Sequence, residues 1–245
     1  CEMFTFGVKM ATAYDEIQYV SFPYQQSHPD RLSAVAKLLG IDAPKIETAR
    51  VLELGCAAGN NLIPMAENMP QGKFLGIDYS EPQAARGKKL IEELKLKNIE
   101  IRHANIMDFG AKEGQFDYII VHGIFSWVPK EVQEKILEIC KKNLSPNGVA
   151  YVSYNVFPGW RMRGMIRDMM LYHTKRFATP QQKLQQARAL LEFMVHSVPQ
   201  DNNPYGSFLK SELELLRQQS DNYLFHDHME ENNSPCYFHE FVERA

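Results

Sequence analysis

The chain has no run approaching the ~20 consecutive apolar residues of a membrane helix, and its start, Cys1-Glu2-Met3, has no signal-peptide pattern. It also lacks a charge excess. The 27 Lys and Arg against 30 Asp and Glu leave a net charge of −3, which gives no electrostatic case for a nucleic-acid partner. Cysteine is scarce: Cys1, Cys56, Cys140 and Cys236 lie too far apart for a metal knuckle. Reduced thiols in a cytoplasmic protein fit that usage. His226, His228 and His239, even with Asp227 and Glu240 nearby, lack the remaining pattern of a metal site, so no metal is expected. There is no internal repeat or low-complexity segment, and nothing in the sequence fixes the oligomeric state.

What the chain does have is enough apolar residue, 44% of 245, for one domain with an appendage or two small domains. Residues 1–29 are irregular and rich in aromatics. Asp30 is a candidate N-cap for a helix through Leu32, Val35, Ala36 and Leu39 that stops at Gly40. Strand and helix signals then alternate. Strands are predicted at 51–54, 73–78, 98–103, 116–121 and 149–154, the last delivered by the turn Ser145-Pro146-Asn147-Gly148. Helices are predicted from about Asn60, with Pro64 tolerated near the first turn, from Ser80, where Ser80 and Gln83 form a capping box, and over 130–144. Strands apolar on both faces and separated by helices predict an α/β fold, a doubly wound parallel sheet with right-handed crossovers. From Gly159 onward the pattern is helical, over 161–177, 180–196 and 205–219. The basic stretch Arg161, Arg163, Arg167, Lys175 and Arg176 is read there as a solvated face. Met162, Met165, Met169 and Met170 are read as core filler. The expected division is 1–40 as an N-terminal lid and helix, 41–158 as the sheet domain and 159–245 as a helical extension.

The richest stretch is Arg50-Val51-Leu52-Glu53-Leu54-Gly55-Cys56-Ala57-Ala58-Gly59-Asn60-Asn61, followed by Gly76-Ile77-Asp78-Tyr79-Ser80. An apolar strand, a tight small-residue turn, a helix start, a second strand and then an acid form a nucleoside-binding order of parts. The turn lets backbone N–H groups approach the ligand, and the acid takes ribose hydroxyls. A dinucleotide site wants G-x-G-x-x-G, and the run from Gly55 lacks its middle and last glycines. Glu53, two residues before Gly55, instead suits a cofactor bearing an amino-acid ammonium, which points to S-adenosylmethionine. Ala57 resists positive φ, so the turn is expected to keep it at negative φ. Asp78 could alternatively be a helix-capping acid at a strand end.

Glu53-Leu54-Gly55-Cys56-Ala57-Ala58-Gly59 resembles the first motif of class I S-adenosylmethionine-dependent methyltransferases, and Gly76-Ile77-Asp78-Tyr79-Ser80 resembles the second. The resemblance implies a Rossmann-like methyltransferase core. It also implies that Glu53, Gly55, Cys56, Ala57, Gly59 and Asn60 hold the methionine part, that Asp78 takes the ribose hydroxyls and that Tyr79 covers the adenine. His103-Ala104-Asn105-Ile106-Met107-Asp108 resembles the third motif, placing Asn105 and Ile106 beside the adenine, with Asn105 where Asp is usual. Tyr14 lies in a segment resembling the one that closes over the cofactor. Tyr237 to Ala245 resembles the helix that precedes a final antiparallel strand pair, so the natural chain is expected to continue past Ala245.

In a doubly wound sheet the ligand crevice lies at the C-terminal strand ends. The fourth strand runs into His122-Gly123-Ile124-Phe125-Ser126-Trp127-Val128-Pro129 and the fifth into Ser153-Tyr154-Asn155-Val156-Phe157-Pro158-Gly159-Trp160. His122 is expected beside both cofactor and acceptor. Tyr154 and His122 are the catalytic candidates, and Tyr14, Trp127, Asn155 and Trp160 are the acceptor-binding ones. His122, Trp127, Tyr154 and Asn155 are expected to converge. His122 could equally be a structural hydrogen-bonder, and Trp127 a core ring. Tyr14-Asp15-Glu16, Ser27-His28-Pro29-Asp30, the Gly55 to Pro64 run, Val128-Pro129 and Ser153 to Trp160 together are similar to bacterial methyltransferases with a C-terminal regulatory domain. That resemblance implies protein lysine as the acceptor. A small-molecule methyltransferase with 161–222 as a lid, and a non-catalytic cofactor-binding regulatory module, are the alternatives.

Overall fold

In the computed structural model of the chain, residues 22–230 and 232–245 are described; Tyr14 and most of the expected lid lie outside them. Five strands, β1 (Arg50–Leu54), β2 (Lys73–Asp78), β3 (Ile99–His103), β4 (Phe116–Val121) and β5 (Leu144–Val152), form one all-parallel sheet in the order β3-β2-β1-β4-β5. The order reverses between β1 and β4, and there the C-terminal strand ends open a crevice. Helices α1 (Pro29–Leu38), α2 (Leu62–Asn68) and α3 (Glu81–Glu93) cover one face of the sheet, and α4 (Lys130–Asn143) covers the other. Each strand alternates its side chains between two cores. Val51, Phe74, Ile101, Tyr118 and Ile120 pack with Leu32, Leu62 and Ala84, while Leu52, Leu54, Ile77, Ile119 and Val121 pack with Ile136 and Ile139. Burial on both faces explains the apolar character of β1, β2 and β4, while the edge strand β3 exposes Glu100.

Several local expectations change. The helix α1 is capped by His28, whose Nδ1 accepts from the Asp30 N–H at 3.2 Å, with Pro29 in the first turn; Asp30 is inside the helix. Pro29 has a preset φ and no N–H to satisfy, so it suits that position. Ser80 sits at the N-cap of α3 without a side-chain cap bond, and its N–H, which the Gln83 arm of a capping box would take, donates to Asp78 Oδ1 at 2.8 Å. Residues 145–148 fall within β5 as an irregularity, with pairing stepping from Phe116–Leu144 to Tyr118–Val149. Ser145 Oγ donates to Asp117 Oδ1 there at 2.7 Å.

The helical extension comprises α5 (Trp160–Thr174), α6 (Pro180–Ser197), α7 (Pro204–Gln218) and the short α8 (Asp221–Leu224), followed by a π-helical turn, Phe225–Met229. It has its own core of Ile166, Met170, Leu184, Leu191, Leu209, Leu213 and Phe225. Two compositional readings are corrected here. Arg167 is buried, with its guanidinium donating to the Glu230 carbonyl, whereas Met162 and Met165 are exposed at 52% and 37%. After the extension the chain returns to the sheet. Val156 bridges Cys236, and α9 (Phe238–Arg244) sets Phe241 against the second sheet core. Among the described residues no helix is long and apolar enough to cross a membrane.

Candidate cofactor and acceptor site

The turn after β1 is wound through three left-handed residues: Gly55 at φ +70°, Ala57 at +49° and Gly59 at +78°. A Cβ on Gly59 would run into the end of the Ile101 side chain, and the left-handed φ of this position itself favours glycine. The positive φ of Ala57 overturns the expectation of negative φ. The left-handed region costs an L-residue about 1–2 kcal/mol. In return the Ala57 N–H donates to Asp78 Oδ2 at 2.7 Å, a bond to a charged acceptor worth about 1.5–3 kcal/mol.

Asp78 is therefore clamped, with Oδ2 on Ala57 N–H and Oδ1 on Ser80 N–H. Each carboxylate oxygen has a further acceptor site, so the two can take a vicinal diol. The acid caps its neighbours and presents lone pairs at the same time, so the capping and ribose-binding readings are compatible.

Glu53, one strand across, is 3% exposed. Its Oε1 accepts from Asn61 Nδ2 at 2.9 Å, and its Oε2 is buried with no partner among the described residues. Burial, opposed by the Asn61 bond and reinforced by the nearby Asp78 charge, pushes its pKa up to about 8. A buried carboxyl with one unmatched oxygen fits a cationic ligand group, which would restore its charged form. Burial, Glu53 and Asp78 also push the Cys56 thiol well above its ordinary range, which keeps it protonated and inert.

Towards the adenine side, Tyr79 is 57% exposed, with its ring 6.3 Å from that of His103. Asn105 caps a short turn, Ile106–Asp108, its Oδ1 accepting from Met107 N–H at 3.0 Å. Asn60 follows the turn half-buried. An open ring face beside a polar amide and an apolar Ile106 suits a heteroaromatic base.

The four residues expected to converge at the acceptor do not share one volume. His122 lies on the α1 side. Its ring is 3.8 Å from the Tyr24 ring, and its Nδ1 is 3.4 Å from Tyr151 Oη. Burial lowers its pKa. Tyr154 lies on the other core, stacked on Phe241 at 4.2 Å. Trp127 packs edge-on against Trp160 at 5.8 Å, and the Trp160 indole N–H is buried with no partner among the described residues. Asn155 ties loops together: its N–H donates to Ser126 Oγ, its side-chain amide to Asn233, and its carbonyl accepts from Cys236. The parity of side chains past the last paired residue decides this split. Tyr151 is level with Ile120 across β4 and β5 and shares its face with His122, while Tyr154 emerges on the opposite one.

Tyr24, Ser27, Asn61 and Tyr151 were not singled out from the sequence. Strand alternation could have placed Tyr151 beside His122, and Asn61 stands in the cofactor run itself. Ser27 stands in one of the runs that carry the resemblance, but its contact and that of Tyr24 with Asn61 reach 34 and 37 residues along the chain and have no local signal.

Residues 51–148 match the family described as "Methyltransferase domain", and residues 220–245 match "Predicted methyltransferase regulatory domain". Two uncharacterized proteins of Rickettsia prowazekii are similar over 95% of the chain. RP789 is 50% identical, with 42% of its length covered, and RP028 is 43% identical, with 93% covered. Among solved structures, PKMT2 from Rickettsia typhi in complex with AdoHcy aligns with a TM-score of 0.84 at 44% identity, over 93% of this chain and 44% of that one. The chain thus spans less than half the length of RP789 and of PKMT2. With the parallel sheet, the paired acids at adjacent strand ends and these relatives in agreement, the chain belongs to the class I S-adenosylmethionine-dependent methyltransferases that carry a regulatory domain.

Proposed function

We propose that this chain binds S-adenosylmethionine across the β1, β2 and β4 ends and transfers its methyl group to lysine side chains of protein. One observation carries the cofactor reading. Two carboxyls at neighbouring strand ends, Glu53 with a buried oxygen unmatched among the described residues and Asp78 clamped by backbone N–H groups, suit the two polar ends of such a molecule. Glu53 would hold the ammonium, Asp78 the ribose, and Tyr79, Asn105 and Ile106 the adenine. When bound, the cofactor supplies an electrophilic methyl on a sulfonium. The chain's own contribution is orientation of the acceptor, which can supply ~7–11 kcal/mol.

A lysine must also lose its proton. At pH 7 that costs about 4.6 kcal/mol for a free pKa near 10.4, and a desolvating site next to positive charge lowers the cost. His122 is suited to take the proton, since burial keeps its imidazole neutral and Tyr151 sits on Nδ1. Tyr154, stacked on Phe241 in the second core, and Trp127, edge-on to Trp160, are kept as further acceptor candidates. The lysine assignment itself is supported by the likeness to bacterial regulatory-domain methyltransferases. Free thiols at Cys56, Cys140 and Cys236 support a reducing, cytoplasmic setting.

The test is transfer of tritiated methyl from S-adenosylmethionine to host proteins, lysine peptides and small amines, compared side by side. Label on protein lysine supports the reading. Label only on small acceptors overturns the substrate class, and binding without any transfer overturns the activity.

A further inference from the structure

The crossover from β3 to β4 carries only two single-turn helices, Ile106–Asp108 and Ala111–Glu113, where a parallel connection usually runs through an α-helix. Beside it, at the first residues of β1, β2 and β3, a crevice of about 380 Å³ opens. That volume falls within the roughly 300–1,000 Å³ of small-molecule sites. Pro70, Leu75 and Phe116 line it with apolar surface.

Strand parity brings cations into the crevice. Val51 and Phe74 pack into the core beneath α1, α2 and α3, so Arg50 and Lys73 project from the opposite face. They stand in register there as neighbours on β1 and β2. Lys97, just before β3, and Arg102 also line the crevice. Arg102 is already held by Glu100 at 2.6 Å and by Glu113 at 2.9 Å. Arg50, Lys73 and Lys97 have no carboxylate partner for their side chains among the described residues. Arg50 lies over the Phe116 ring at 4.8 Å and reaches the Glu113 carbonyl at 3.4 Å. Asp117 is turned to the Arg50 backbone N–H and the Ser145 hydroxyl instead.

Like charges side by side on one sheet face destabilise it. The chain as a whole carries a net charge of −3, so this is a local concentration of positive charge, and an anion among the three side chains would relieve it. A phosphate monoester suits them better than a carboxylate. It carries about −1.5 to −2 at pH 7 and three acceptor oxygens, against the fork of one guanidinium and the point charges of two ammoniums. We propose that this crevice is a second ligand site, taking a small organic phosphate with Arg50, Lys73 and Lys97 around the phosphate and its carbon body against Leu75 and Phe116. Glu53 and Asp78 stand at the other ends of the same strands, roughly 10–16 Å away at about 3.3 Å per residue. The site is therefore separate from the cofactor crevice, and the inference is independent of the cofactor reading.

The experiment is calorimetry on the whole chain at low ionic strength, with and without saturating S-adenosylhomocysteine, using phenyl phosphate, inorganic phosphate and phenol as probes. Phenyl phosphate should bind once per chain with a Kd of about 1 mM or below, at least tenfold tighter than either other probe, whether or not S-adenosylhomocysteine is present. The double variant Lys73→Gln/Lys97→Gln changes two exposed side chains and should weaken that binding at least tenfold. Lys210→Gln, which removes one exposed charge from α7, should leave it unchanged. No binding of phenyl phosphate, or binding that S-adenosylhomocysteine abolishes, overturns the site. Unchanged affinity in the double variant, or an equal loss in Lys210→Gln, overturns the role of the two lysines. Equal affinity for inorganic phosphate overturns the place given to the carbon body.

Discussion

Glu53→Gln should change the pH dependence of folding and of cofactor binding in opposite senses. The folded state holds the Glu53 proton up to about pH 8, and the unfolded chain releases it at its ordinary 4.5. The contribution of the buried neutral acid is therefore complete below pH 4.5 and is lost as pH rises through about 8, because the native state binds more protons than the unfolded one. At 1.36 kcal/mol per pH step, that interval amounts to about 5 kcal/mol of ligand-free stability. Binding runs the other way. An ammonium beside Glu53 requires the carboxylate, so below pH 8 the proton must be expelled first. At pH 6.5 that makes affinity about 30-fold weaker than above pH 8. Denaturant titrations at pH 5 and 8.5 measure the first effect. Calorimetry of S-adenosylhomocysteine binding in buffers of different ionisation enthalpy measures the second, with close to one proton released at pH 6.5 and close to none at pH 9. In Glu53→Gln both slopes should flatten. A wild-type Kd constant between pH 6.5 and 8.5, or an unchanged slope in the variant, would refute the placement of the ammonium at Glu53.

Asp78→Ala removes the diol acceptor and also strands the Ala57 and Ser80 N–H groups. It should weaken S-adenosylmethionine binding at least tenfold in calorimetry and lower stability by about 1–3 kcal/mol in denaturant titration. Ala57→Gly relieves a left-handed alanine. It should leave stability equal or higher by up to about 1 kcal/mol, the strain relief being offset by glycine's unfolded-state entropy, and thermal unfolding reads it. Tyr151→Phe takes the hydroxyl from His122 Nδ1; it should lower methyl transfer while S-adenosylhomocysteine affinity stays within about twofold, a difference under 0.5 kcal/mol. Tyr154→Phe keeps the ring on Phe241 and should leave the melting temperature unchanged; a transfer defect confined to it would move the proton-accepting group to that side.

The α/β order, the five strands and the paired motifs were legible in the sequence, because each rests on a local regularity. The run from Tyr118 to Val121 is apolar throughout since both faces of β4 are covered there. Gly55 and Gly59 mark a turn that backbone sterics demand, and Glu53 and Asp78 stand at strand ends whose positions follow from those turns. Three matters were decided only in three dimensions. Ala57 takes positive φ because the carboxylate of Asp78, 21 residues away, holds its N–H, and propensity cannot anticipate a bond formed by packing. Asn155 ties its side chain to Asn233, through a contact 78 residues long. Tyr154 and His122 parted to opposite cores because a strand fixes side-chain parity up to its last paired residue, and where β5 ends relative to β4 depends on the irregularity at residues 145–148. Sequence patterns encode what neighbours along the chain impose; the partners of the Asn61 amide and the face on which each aromatic emerges depend on which distant elements the packed sheet brings to the same crevice.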